Sequence, residues 1–367
     1  MADLHVLQLT GTTTGGAGRH AQDLTAGLRE AGHRVVLAGP ADVVATTEAP
    51  TRVVDIAERP RPSDLRAIGR IRALSRGADV LHAHGLRAGA LAALALTGRR
   101  GPGLVVTLHN KPVGSARVRA VGAVLERLVT RRAQVVLGVS GDLVDRARDL
   151  GAAHAERALV PAPFPPGRPA GEDDAGPGTE ALMALRRELG LPEDAPVVLT
   201  LARLAPQKGL DLLMETAALL VERVPQVHWL VAGGGPMLQD LRRRAGEAGL
   251  PVHVLGHRSD APELLALADV VVSTSSWEGQ PLNLQEALRA GRPIVATDVG
   301  GTGEVTGDAA LLVPYGDAAT MAERVSAVLT DAALATELGA AARRRRGELP
   351  GRADTLAQIQ RCYRTLV

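Results

Sequence analysis

The chain has 367 residues, more than one hydrophobic core usually serves, so two domains are expected. Hydrophobic content of 46% and charged content of 22% are those of a soluble globular protein, not of a disordered or fibrous one. A net charge of +2 gives no bulk attraction to nucleic acid. The single cysteine, Cys362, excludes a disulfide framework and a cysteine-rich zinc site, and fits a reducing cytoplasm.

The first residues, Met1 to His5, run straight into a strand without a charged region followed by a long apolar run. No signal peptide is therefore expected. No apolar run is long enough to span a bilayer. Leu4 to Leu9 has strand length, Thr10 to Gly18 is a Gly/Thr loop, and Arg19 to Ala31 has helical spacing. Arg34 to Ala38 is the next strand. The alternation continues with strands at Val53 to Ile56, Val80 to Ala83, Leu104 to Leu108 and Val135 to Val139. Helices begin at Ser63, Leu86, Ala116 and Gly141. Continuous apolar strands separated by helices indicate parallel βαβ units with both sheet faces covered.

Pro161 to Gly178 is rich in Pro, Gly and acid, and is the clearest linker in the chain. The alternation then resumes. Strands are expected at Val197 to Ala202, His228 to Ala232, Val252 to Leu255, Val270 to Thr274, Ile294 to Thr297 and Leu311 to Val313. Helices are expected at Ala181 to Glu188, Leu210 to Arg223, from Met237, Pro262 to Leu267, Asp317 to Leu329 and Asp331 to Arg345, with a last one at Ala353 to Leu366. The expected fold is α/β: two doubly wound domains, 1–165 and 181–347, joined by a linker at 166–180, with a C-terminal segment at 348–367. Ligands bind such sheets at the carboxyl ends of their strands, so the chemistry is expected in a cleft between the two domains.

The loops at those ends carry the candidate residues. Gly15 and Gly16 open the first helix. Their spacing is not that of a dinucleotide fingerprint, and no acidic residue ends the second strand, so a nicotinamide or flavin role is disfavoured. A glycine loop approaching a phosphate or sugar is better supported. His109 ends one strand. His82 and His84 end another and are expected on opposite strand faces, which argues against joint ligation of a metal. No Asp-X-Asp occurs, so the usual carboxylate pair for a metal–nucleotide complex is missing. Arg203 and Lys208 flank a loop at a helix start, where two cations beside free N–H groups can clamp a diphosphate. Gly234 lies in a backbone-exposing turn, and Arg258 follows another strand, placed to line a base. Glu278 and Glu286 stand eight positions apart, one in a loop and one in the helix that Pro281 opens.

With Arg203, Lys208-Gly209, Glu278-x7-Glu286 and Gly291-x-Pro293-Ile294-Val295-Ala296-Thr297 in chain order, the sequence resembles the GT-B-fold retaining glycosyltransferases of family 4 (glycosyl transferases group 1). The resemblance covers nearly the whole chain. It implies two Rossmann-like domains, a last helix crossing back to the first domain, and metal-independent, cofactor-free transfer of a hexose-type sugar from a nucleotide-diphosphate donor. The acceptor, a glycan, a lipid-linked molecule or a small molecule, is left open, as is the nucleobase. The resemblance implies Glu278, His109, Arg203 and Lys208 as catalytic residues. For the donor it implies Gly15, Gly16, Arg203, Lys208, Gly234, Arg258, Gly279, Pro281, Leu282, Asn283 and Glu286. Glu286 would hold the ribose and Glu278 would sit by the transferred sugar. Gln280 stands where members often carry Phe. The alternatives are a nucleotide-sugar epimerase or hydrolase on the same fold, and a non-catalytic nucleotide-sugar-binding protein.

Lys111 to Arg132 is basic and amphipathic, with one acid, Glu126. Two readings follow: a surface for a phosphorylated acceptor or for anionic lipid at the inner membrane face, or an ordinary helix packed on its sheet. The absence of Trp and Phe favours the second. No nucleic-acid partner is expected, and Arg343 to Arg346 reads as a solvated helix end.

Overall fold

A computed structural model describes residues 3–11, 16–45, 47–57, 59–98, 100–112, 115–161 and 177–367. The chain divides into two units, Met1–Pro161 with Pro350–Val367, and Ala162–Leu349. Each is an α/β domain built on one parallel sheet.

In the first unit the elements are β1 (His5–Thr10), α1 (Gly16–Glu30), β2 (Arg34–Gly39), α2 (Ala41–Val44), β3 (Thr51–Val53), α3 (Asp64–Leu74) and β4 (Val80–His84). They continue with α4 (Leu86–Ala95), β5 (Gly103–Leu108), α5 (Ala116–Arg132), β6 (Val135–Gly138), α6 (Gly141–Asp149) and β7 (Ala155–Arg157). The sheet order is β3-β2-β1-β4-β5-β6-β7. Every residue of β4 and β5 is buried, as expected for central parallel strands covered on both faces, while edge strand β3 is largely exposed. The third strand runs at Thr51–Val53, not Val53 to Ile56. Val54 and Ile56 are buried, but only as the chain leaves the sheet.

The C-terminal helix Arg352–Arg364 belongs to this first unit. Asp354 caps it by accepting from the Gly351 N–H at 2.8 Å. Gly27 of α1 makes room for it, since a Cβ there would lie 2.7 Å from Leu356 Cδ2. Gln358 bonds both the Arg157 carbonyl and the Leu159 N–H, joining the helix to the segment that leaves β7.

The second unit contains α7 (Thr179–Glu188), β8 (Val197–Leu201), α8 (Leu210–Arg223), β9 (His228–Ala232), α9 (Leu238–Glu247), β10 (Val252–Gly256), α10 (Ala261–Leu267) and β11 (Val270–Ser273). It ends with α11 (Leu282–Arg289), β12 (Ile294–Thr297), α12 (Thr302–Thr306), β13 (Ala310–Val313), α13 (Ala318–Thr330) and α14 (Ala332–Glu348). Its sheet order is β10-β9-β8-β11-β12-β13, the doubly wound order with its switch between β8 and β11. Strand alternation splits the core in two. Val198, Val231, Val272 and Val295 pack with Leu213 and Val325 on one face. Leu199, Leu230, Val271 and Ile294 pack with Leu284 and Ala342 on the other. Each such fully buried aliphatic side chain contributes about 2 kcal/mol.

Candidate active site

At the switch point of the second unit, loops leave the carboxyl ends of neighbouring strands β9, β8, β11 and β12. The loop after β8 carries Arg203, makes a 3-10 turn at Pro206–Lys208, and enters α8 through Gly209. Gly209 has φ +61, and a Cβ there would sit 1.9 Å from the Thr274 carbonyl oxygen, so only glycine lets the two loops approach this closely. Thr274 Oγ1 donates to the Lys208 carbonyl at 2.9 Å. The Ser276 N–H donates to the Gln207 carbonyl at 2.8 Å, and Gln207 Nε2 donates to the Trp277 carbonyl at 2.7 Å.

This backbone lacing brings together two of the sequence-expected residues. Lys208 Nζ lies 2.5 Å from Glu278 Oε1, and Ser275 Oγ donates to the same oxygen at 2.6 Å. Glu278 is buried and Lys208 is largely so. Gly300, with φ +52, lets the loop after β12 close on the Glu278 carbonyl, which accepts from the Gly301 N–H at 2.9 Å.

Arg203 is exposed on the same loop as Lys208. Gly279 is buried, Pro281 is the N-cap of α11, and Leu282 is its first residue. Asn283 turns inward, donating Nδ2 to the Leu201 carbonyl at 2.9 Å. Glu286 is half-buried, just over a turn into α11. The Gly234 carbonyl accepts from the Leu204 N–H at 2.8 Å, so the glycine turn after β9 braces the Arg203 loop. Gln280 Oε1 is buried with no hydrogen-bond partner among the described residues. Arg258 is committed elsewhere: its guanidinium grips Asp260 through Nε at 2.8 Å and Nη2 at 2.5 Å, and Glu188 through Nη1 at 2.9 Å. Hydrogen bonding to Arg258 holds the Asp260 carboxyl below its usual range. Any donor contact by Arg258 would compete with both carboxylates.

In the first unit, Gly16 opens α1 and is exposed, while Gly15 lies outside the described residues. His109, just after β5, is half-buried in a cluster with His20, His82 and His84. The expectation that His82 and His84 face opposite ways is overturned. Residues i and i+2 of a strand share a face, and the two rings stack with centroids 4.3 Å apart. His82 contacts the Tyr363 hydroxyl and Thr107 Oγ1, each at 2.8 Å. Gln8 Nε2 donates to the Tyr363 hydroxyl at 2.9 Å. His84 Nε2 lies 2.7 Å from Gln8 Oε1, an acceptor only, so His84 carries its proton on Nε2. His84 Nδ1 then accepts from His109 Nε2 at 3.5 Å, which leaves His109 Nδ1 as the lone-pair side of that ring. Burial lowers His20 to about 4; burial, then the neighbouring His20, lowers His109 to about 3. Burial foremost holds His82 and His84 well below the usual value, so the cluster is neutral at pH 7. Among the described residues, no group of three or more His, Cys, Asp or Glu is placed to hold a metal ion.

Sequence reasoning missed Ser275, Gln207 and Tyr363. A hydroxyl run after β11, Thr274 to Ser276, was the visible signal for the first. Nothing local marks Tyr363. Tyr315, 49% exposed, was missed as well; its Cε2 lies 3.3 Å from where a Gly209 Cβ would stand.

Residues 183–345 match the family described as Glycosyl transferases group 1, and residues 15–163 match the Glycosyl transferase 4-like domain. The Phosphatidyl-myo-inositol mannosyltransferase of Mycolicibacterium smegmatis is 30% identical over 96% of this chain and 90% of that one. From the same organism, the GDP-mannose-dependent alpha-(1-6)-phosphatidylinositol monomannoside mannosyltransferase is 33% identical over 70% of this chain and 69% of its own. The Alpha-D-kanosaminyltransferase of Streptomyces kanamyceticus is 34% identical over 160 residues, and that match spans only 41% of the relative. The chain belongs to the group 1 glycosyltransferases. Anabaena HepE, solved in complex with UDP and glucose, superposes with a TM-score of 0.81 at 20% identity over 99% of this chain and 100% of that one. WaaG, a glycosyltransferase involved in lipopolysaccharide biosynthesis, superposes with 0.72 at 16% identity, covering 99% of each chain. The fold is GT-B, with two Rossmann-like domains.

Proposed function

We propose that this glycosyltransferase moves a hexose-type sugar from a nucleotide-diphosphate donor to an acceptor hydroxyl with retention of configuration and without a metal ion. The observation that carries the reading is the Lys208–Glu278 pair at the switch point, laced to the start of α8 and followed by Glu286 on α11. In this reading Lys208 and exposed Arg203 face the diphosphate, together with N–H groups at the helix start. The bond from the anomeric carbon to the phosphate oxygen breaks, and both its electrons leave on the diphosphate. The acceptor hydroxyl oxygen bonds that carbon from the same face, and its proton passes to the released diphosphate. Charge is stabilised where it develops, by groups already in place, and one such donor is worth about a hundredfold to a thousandfold in rate.

Glu286 would hold the ribose, and Glu278 would fix the Lys208 ammonium beside the transferred sugar. His109 enters by resemblance. As a neutral ring with Nδ1 open to accept, it suits a sugar hydroxyl as donor. The two inositol-lipid relatives support a lipid-linked or polyol acceptor, and work at the cytoplasmic side of a membrane belongs to the same reading.

The test incubates the full chain with UDP-, GDP- and ADP-sugars, with and without cell extract. Nucleoside diphosphate release that requires extract is expected. Release without extract would replace transfer by hydrolysis or epimerisation, and binding without release would leave a nucleotide-sugar-binding protein.

A further inference from the structure

Four arginines, Arg29, Arg34, Arg52 and Arg76, line one pocket at the amino end of the first unit's sheet. Gly16 and His109 lie at the other end, where the strands finish. The pocket holds about 640 Å³, the size of a small-molecule site and far more than a lone ion fills. Strand register assembles its wall. His5 pairs with Arg34, Leu7 with Val36 and Ala38 with Arg52, so His5, Leu7, Arg34, Val36 and Arg52 share one sheet face. Leu74, the last residue of α3, and the turn Arg76-Gly77-Ala78 close the other side. Val36 and Leu74 are only half-buried, which leaves apolar surface inside the pocket.

The whole chain carries 42 basic and 40 acidic side chains, so an excess of one sign here is local. All four arginines are exposed. Two carboxylates stand close: Asp3, 2.9 Å from Arg34 Nε, and Asp79, which accepts from the His5 N–H at 2.8 Å. Against four arginines they leave positive charge over. Among the described residues Arg29, Arg52 and Arg76 have no carboxylate partner, and Arg52 Nη1 donates only to the adjacent Thr51 carbonyl at 2.8 Å. His5 is an independent sign of a ligand. Its Nδ1 lies 3.1 Å from the Gly77 carbonyl oxygen, an acceptor only, so in the neutral ring Nδ1 carries the proton and Nε2 the lone pair. Nε2 is buried with no hydrogen-bond partner among the described residues. A buried acceptor without a donor calls for an explanation, and a ligand hydroxyl supplies one. His33, on the same lining, is already occupied: Nδ1 accepts from the Leu4 N–H at 3.3 Å and Nε2 lies 3.2 Å from Gln360 Nε2.

We propose that this pocket is a second binding site, for a small phosphorylated sugar. Arg29, Arg52 and Arg76 hold the phosphate, since a guanidinium fork matches its oxygens. One sugar hydroxyl donates to His5 Nε2, and the carbon face of the sugar rests on Val36 and Leu74. Inorganic phosphate alone would satisfy the arginines but leaves most of the volume and the apolar surface unused. The pocket lies away from the carboxyl ends of the strands, where the sugar donor is read, so the proposal does not depend on the transferase reading.

The test is titration calorimetry of the full chain with glucose 6-phosphate, fructose 6-phosphate, glucose and inorganic phosphate. At least one sugar phosphate should bind, inorganic phosphate should bind about tenfold more weakly, and glucose should not bind measurably. Arg52→Gln and Arg76→Gln should each weaken the sugar phosphate about tenfold. Both side chains are exposed, so the variants should fold, which a melting curve checks. His5→Asn keeps a donor for the Gly77 carbonyl but removes Nε2. It should bring the sugar phosphate down to the affinity of inorganic phosphate and leave inorganic phosphate unchanged. Saturating UDP or GDP should not displace the sugar phosphate. No binding of either sugar phosphate, or arginine variants that bind like the parent, would overturn the proposal. So would a preference for the sugar that survives in His5→Asn, and so would displacement by a nucleotide, which would put the phosphate in the donor site. Nucleotide binding without sugar phosphate binding removes only this second site, and sugar phosphate binding without nucleotide binding removes only the transferase reading.

Discussion

Lys208 Nζ and Glu278 Oε1 stand 2.5 Å apart although 70 residues separate them in sequence. The pair joins the loop after β8 to the loop after β11, the two sides of the switch point. Among the described residues, Lys208→Ala would leave the buried Glu278 carboxylate with only the Ser275 hydroxyl. Removing one partner of such a pair costs about 3 kcal/mol of stability, and removing a phosphate ligand costs at least about a hundredfold in transfer rate. Urea unfolding and steady-state rates check the two effects separately. The double variant with Glu278→Gln should be more stable than Lys208→Ala alone, because the unpaired charge is gone; equal or lower stability would show that the pair does not couple.

Gly209 and Gly190 offer a controlled comparison. Both have positive φ, +61 and +67, but a Cβ at Gly209 would meet the Thr274 carbonyl oxygen at 1.9 Å, while Gly190 has nothing within 4 Å. Gly190→Ala should lower stability by about 1 kcal/mol through backbone strain alone. Gly209→Ala adds a clash that forces the two loops apart. It should lower stability further and weaken nucleotide binding at least about tenfold, with nucleotide affinity unchanged in Gly190→Ala. Equal affinities would mean that the loop spacing does not shape the site.

The repeated strands were legible because central parallel strands are buried on both faces and so read as unbroken apolar runs, such as Val197 to Leu201 and Val270 to Ser273. Short edge strands were not. Ala155–Arg157 has three residues with one buried, too few for a pattern. In the candidate site, spacing singled out Arg203, Lys208, Glu278 and Glu286 as candidates, but Ser275 and Gln207 act through backbone carbonyls and hydroxyls that no motif encodes. Tyr363 was invisible for a different reason: its hydroxyl serves Gln8, 355 residues away, and His82, 281 away. Tyr363→Phe strips a buried partner from both side chains and should cost about 2 kcal/mol. Calorimetry of the full chain should show the loss in the transition of the first unit, since the C-terminal helix belongs to it. A loss confined to the second unit's transition would contradict that placement.

Acid should attack the first unit before the second. His20 is lowered from 6.5 to about 4 and His109 from 6.5 to about 3, chiefly by burial. His82 and His84 are lowered too, chiefly by burial and then by their histidine neighbours. A histidine with a depressed folded pKa binds fewer protons folded than unfolded between the two values. Its contribution is therefore complete above 6.5 and is lost as pH falls through the window toward about 4 for His20 and about 3 for His109. Inside its window each group adds a slope of about 1.4 kcal/mol per pH unit. In the second unit, His228 and His253 are also lowered by burial but are only partly buried, so their share is smaller. Urea midpoints measured from about pH 7 to about pH 5 should fall first for the first unit. His20→Gln, which removes one titrating ring from the cluster, should flatten that fall. A first-unit midpoint that holds constant over this range, or the same slope in His20→Gln, would show that the buried rings are not what acid titrates.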